Sequence, residues 1–127
     1  MSRFFWICLG GAAGTAARYA VSSWALDLLG TGFPWGTLAV NAVGSFLIGG
    51  IMHVGLETQL LTPTARVALT TGVMGGFTTY SAFNYETLRL FAEGARVLAL
   101  VNVFAMIFIC LAAGVAGLAL ARLAVGH

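Results

Sequence analysis

The residues Gly75-Gly76-Phe77-Thr78-Thr79-Tyr80-Ser81-Ala82-Phe83-Asn84-Tyr85-Glu86 set the strongest constraint on how this chain can fold. They lie in the middle of a long apolar run, at about residues 65–91, where a helix surrounded by lipid would be most apolar. Instead the stretch holds paired glycines, two threonines, a serine, an asparagine, four aromatics and a carboxylate. Adjacent glycines weaken a helix. Irregular backbone at membrane depth persists only when it is buried in protein or lines a wet cavity. Polar groups there mark functional positions. The stretch therefore predicts a membrane helix broken near Gly75, with freed carbonyls that can hold a cation and with aromatics and hydroxyls lining a path.

Composition supports the membrane setting. Of 127 residues, 60% are hydrophobic and 8% charged, against roughly 25% charged in a soluble domain. The class is an all-α integral membrane protein, with residues 1–127 as one transmembrane domain. The net charge of +2 comes without any lysine, so there is no basic patch for nucleic acid. Cys8 and Cys110 each sit in an apolar run with no metal-ligand spacing around them, and read as small buried or lipid-facing hydrophobes.

Four spans follow, at about 4–29, 35–56, 65–91 and 97–121. Gly30, Gly32 and Pro34 mark the first connection, Pro63 the end of the second and Gly94 the third. Arg3 and the apolar run behind it resemble a signal peptide, but the apolar pattern continues to Leu29, longer than a cleaved h-region. Gly10 and Gly14 form a GxxxG pair that lets helices approach. Arg18 shares a face with Thr15 and Ser22, as a structural anchor or as an electropositive entrance for anions. Thr37, Asn41 and Ser45 draw one polar stripe down span two. That stripe reads either as interhelical hydrogen-bond glue or, through the Asn41 amide donors, as an anion ligand set. His53 reads as an interfacial residue. Tyr80, Phe83 and Glu86 or Thr87 share a face beyond the break. In span four Asn102 is the clear polar side chain, and Gly114 and Gly117 make a small face.

Both termini fall on one side of a four-span chain, with Arg3, Arg66 and Arg122. Arg89 and Arg96 lie on the other, with Arg18 in reach. Lys/Arg bias sets orientation, and here it is nearly balanced. Four helices are also few to enclose a pathway. The expectation is a dual-topology antiparallel homodimer in the lipid bilayer, paired through an in-plane two-fold as inverted repeats are.

No Ser/His/Asp, Cys/His, paired-carboxylate or P-loop pattern is present, so enzymatic chemistry is not expected. What remains is donors (Asn41, Thr37, Thr79, Ser81, Tyr80) and the positive ring edges of Phe83 and Tyr80. Together they describe a narrow membrane pathway for a small ion, without choosing the ion.

At this point the chain resembles the CrcB/Fluc family of fluoride channels. The resemblance rests on Gly10-Gly11-Ala12-Ala13-Gly14 leading to Arg18-Tyr19, on Trp35-Gly36-Thr37-Leu38-Ala39-Val40-Asn41 with Gly44, and on Gly72 with the Gly75–Glu86 stretch. It implies passive fluoride export across the cell inner membrane by an antiparallel homodimer with two pores. It also implies a central structural Na⁺ held by main-chain carbonyls of the broken helix, carried onto Gly75 and Thr78. Asn41 would line the pore, Tyr80 and Phe83 would stand at two positions whose ring edges face fluoride, and Ser81, Thr37, Glu86 and Arg18 would be polar partners. Tyr80 replaces a usual phenylalanine, Ala82 and Asn84 replace hydroxyl residues, and Met106 and Cys110 stand where serines are expected. A small multidrug-resistance-type cation exporter is the alternative, but it requires a first-span carboxylate, and none precedes Asp27. An accessory membrane subunit, with the polar groups as packing glue, is the other.

Overall fold

The computed structural model describes residues 2–126, which are mainly helical with no strand among them. The elements are α1 (Ser2–Leu29), α2 (Trp35–Glu57), α3 (Pro63–Val67), a π-helical stretch (Ala68–Met74), α4 (Gly75–Phe77), α5 (Tyr80–Ala92) and α6 (Arg96–Val125). They make four long passes, the third being the broken run from α3 to α5. The ends follow local chemistry. Gly30 (φ +77°) and Gly94 (φ +83°) take the left-handed conformation that stops α1 and the third pass. Pro63 opens α3, with the Thr62 side chain accepting from the Ala65 N–H at 3.0 Å.

Passes one and three run parallel, and so do passes two and four. A Cβ at Gly10 would lie 2.7 Å from the Ala68 carbonyl oxygen, and one at Gly14 would overlap the Val73 carbonyl. Glycine there lets α1 lie directly on the backbone of the π-helical stretch. Gly49 and Gly117 do the same between α2 and α6, against the carbonyls of Gly114 and Phe46. The fully covered positions are mainly small or medium-sized, such as Val40 and Ala99. Large apolar groups such as Phe4, Leu29, Phe108 and Leu123 face outward. An apolar exterior around a tightly packed, small-residue interior suits lipid as solvent.

The break differs from the expected one in place and cause. Gly75 and Gly76 stay helical, and the chain leaves the helix at Thr78 (ψ 159°) and Thr79 (φ −152°, ψ 121°). Gly76 serves packing, since a Cβ there would stand 2.5 Å from the Gly11 carbonyl oxygen. The two threonines make the break. Thr78 Oγ1 donates back to the Met74 carbonyl (2.8 Å), and Thr79 Oγ1 accepts from the Ala82 N–H (3.2 Å) as the N-cap of α5.

Candidate functional site

A helix end leaves carbonyls without intrahelical donors, and at this break two other passes supply them. The Thr79 N–H, which would otherwise close onto Gly75, donates to Asn41 Oδ1 at 2.8 Å. Asn41 Nδ2 returns a hydrogen bond to the Thr79 carbonyl at 2.9 Å and reaches Met106 Sδ at 3.3 Å. Arg18 Nε donates to the Gly76 carbonyl at 3.0 Å, a cation at a helix C-terminus, where the aligned peptide dipoles are negative. The carbonyls of Gly75 and Thr78 receive no such bond among the described residues.

Three cavities line up along α2. The first, about 340 Å³, is lined by Arg18, Thr37, Thr79, Glu86 and Arg89 among others. Thr37, itself buried, donates through Oγ1 to Glu86 Oε2 at 2.9 Å, and Glu86 Oε1 is buried with no partner among the described residues. The second, about 350 Å³, is lined by Asn41, Gly75, Thr78, Tyr80 and Cys110, with Thr79 as the wall it shares with the first. The third, about 660 Å³, shares Ser45 and Cys110 with the second and continues past His53 to Glu57 and Arg122. The row therefore has ionisable groups at both ends and amide, hydroxyl, carbonyl and sulfur groups in the middle.

The expected site residues are distributed unevenly over this row. Arg18, Thr37 and Glu86 meet in the first cavity, while Asn41, Gly75, Thr78 and Tyr80 meet in the second. Ser81 and Phe83 line neither. Ser81 Oγ lies 3.4 Å from Thr79 Oγ1, and the half-buried Phe83 ring is 5.6 Å from the Tyr80 ring at a 58° tilt. Tyr80 is 76% exposed. The Asn41 carboxamide bonds the Thr79 backbone and Met106 Sδ across helices, and Arg18 bonds the Gly76 carbonyl while bordering the first cavity. His53 is buried rather than open at the helix end, with Nε2 at 2.8 Å from the Gly126 carbonyl oxygen.

Three participants escaped the sequence reading in these roles. Met106 is a hydrogen-bond acceptor for Asn41, and the Thr79 backbone is the other half of that clamp. Asn102, fully buried, donates to Thr87 Oγ1 at 2.9 Å, and Thr87 donates to the Phe83 carbonyl at 2.8 Å. A signal for Met106 did exist: Asn102, Met106 and Cys110 recur every four residues and so share one face of α6.

By length and composition α2 and α6 are apolar enough to cross a membrane. A family model described as CrcB-like protein, Camphor Resistance (CrcB) matches residues 5–118. A protein of Sorangium cellulosum named fluoride-specific ion channel FluC is 54% identical over 96% of this chain and 96% of its own length. Proteins of the same name from Anaeromyxobacter dehalogenans and Geobacter metallireducens are 50% and 48% identical, covering 96% and 91% of this chain and 97% and 94% of theirs. With apolar helices, a family model across most of its length and relatives matched nearly end to end, this chain is a membrane protein of the CrcB family.

Proposed function

We propose that the chain is a fluoride-selective ion channel of the cell inner membrane, letting fluoride leave the cytoplasm down its gradient. The observation that carries this reading is the row of three cavities along α2, from Arg18 and Glu86 past Asn41 to Arg122. Its relatives' name, fluoride-specific ion channel, supports the choice of ion. A small hard anion loses its water only where donors replace it. The cavities are lined by the Ser45 and Thr79 hydroxyls, with Thr37 and the Asn41 amide as donors that an anion would have to draw from Glu86, Thr79 and Met106, and the tilted Tyr80 and Phe83 rings add positive edges beside the break. The CrcB family match and the relatives' channel name support passive conduction rather than enzymatic chemistry.

The working unit in this proposal is an antiparallel homodimer. One chain's cavities are open on their outer side, and a second copy in opposite orientation closes them into two pathways. The Gly75 and Thr78 carbonyls, without donors of their own while Gly76 and Thr79 are satisfied, fit a hard cation such as Na⁺, since unwound backbone carbonyls are suited to holding it. Its role would be to neutralise and fix these carbonyls where two breaks meet.

Fluoride efflux from proteoliposomes, followed with a fluoride electrode beside the same assay for chloride, tests the reading. Rapid fluoride loss with chloride retained is the expected result. Absence of fluoride loss from a dimer shown intact by chromatography would overturn it.

A further inference from the structure

Met74, Met106 and Cys110 bring three sulfur atoms to the second cavity, and the proposed conduction assigns no ion to any of them. Cys110 Sγ and Met106 Sδ lie 3.7 Å apart, one turn from each other on α6, and both line the cavity that holds Asn41 and Thr78. Cys110 is also a wall of the third cavity, so its thiol stands at the junction of two compartments with Met106 on the second-cavity side. Met106 Sδ accepts from Asn41 Nδ2 and from the Cys110 thiol, so loss of the thiol proton frees one of its lone pairs.

We propose that Cys110 and Met106 form a binding site for a soft monovalent cation of the Ag⁺ or Cu⁺ class, and that its occupancy closes the passage. Thiolate and thioether sulfurs select such ions over hard ones, and an unbranched methionine adjusts its reach at little expense. The site shares its cavity with Gly75 and Thr78 but differs from their carbonyls in chemistry, since those are hard oxygen donors on another pass. On binding, the Cys110 S–H bond breaks, its proton leaves to water, and the thiolate donates an electron pair to the cation. Met106 donates a second pair, and no atom changes oxidation state. The resulting thiolate–cation unit is neutral, so it narrows the junction without presenting a new charge to an anion. The blocking part of the proposal rests on the channel reading given above.

The test uses the full chain carrying Cys8→Ser, which removes the exposed thiol on α1. Fluoride efflux from proteoliposomes is measured in chloride-free nitrate buffer with micromolar silver nitrate. Expected is loss of efflux, recovery on adding dithiothreitol, insensitivity to silver after a further Cys110→Ser, and about a tenfold higher blocking concentration after Met106→Leu. In parallel, native mass spectrometry counts silver per chain, with one expected for the Cys8→Ser protein and none once Cys110 is also replaced. Silver block that survives Cys110→Ser, or one bound silver with undiminished efflux, would overturn the proposal. If the silver-free protein passes no fluoride, the channel reading fails alone, and the mass measurement still decides whether the sulfur pair binds the ion.

Discussion

Asn41 uses its oxygen and its amide nitrogen at once, on both backbone groups of Thr79 and on Met106 Sδ. Asn41→Ala would leave two backbone groups of the break without partners, which costs roughly 2–4 kcal/mol. The expected outcome is a lower denaturation midpoint in detergent together with lost fluoride efflux, while Asn41→Asp, which keeps the acceptor, recovers part of the stability. Tyr80 is the opposite case. It is 76% exposed and its hydroxyl makes no hydrogen bond among the described residues. Tyr80→Phe should therefore shift stability by no more than about 0.5 kcal/mol. It keeps the ring edge, so efflux is expected to hold or rise, and a drop would assign the hydroxyl a part in conduction. The sequence made these residues visible as polar groups at membrane depth, but not their partners. Asn41 pairs with backbone, and a backbone group has no residue letter of its own.

At the scale of elements, the four passes and their ends could be read from Gly30, Pro34, Pro63 and Gly94, because breakers and caps act locally. The π-helical stretch could not. Nothing in Ala68-Leu69-Thr70-Thr71-Gly72-Val73-Met74 announces a wider turn, and what accompanies it is tertiary, with Gly72 lying close under the backbone of α1. The break was legible as an event but misplaced, because glycine both weakens helices and lets them pack, and the second role governs Gly76. The distinction can be tested. At Gly14 a Cβ would overlap the backbone of the third pass, whereas at Gly32 it would meet nothing within 4 Å. Gly14→Ala is expected to destabilise by about 1–3 kcal/mol or to prevent folding, and Gly32→Ala to leave the thermal midpoint unchanged. Equal tolerance at both positions would mean that α1 does not pack as described. In the same way Asn102→Leu, which strips Thr87 of its donor, is expected to lower stability by roughly 1–3 kcal/mol, measured by urea unfolding in detergent.

For the whole molecule, the proposed antiparallel dimer requires both orientations in one membrane, and the near balance of arginines makes orientation the decisive measurement. A single reporter thiol, Gln59→Cys in a chain with Cys8→Ser and Cys110→Ser, sits in the exposed connection after α2. Dual topology predicts that a membrane-impermeant maleimide labels about half of it from outside intact cells, since orientation follows Lys/Arg bias. Labelling of nearly all or nearly none would assign a single orientation and remove the antiparallel dimer from the proposal. One more consequence concerns synthesis. The break in the third pass is completed by Arg18 from the first pass and Asn41 from the second, both made earlier, and by nothing later than Met106. When Thr78 and Thr79 are made, the Arg18 and Asn41 side chains that bond the break have already been made. The order of translation is thus the order in which the parts are needed, and a chain rearranged to make the third pass first would have to insert a span whose hydrogen bonds do not yet exist.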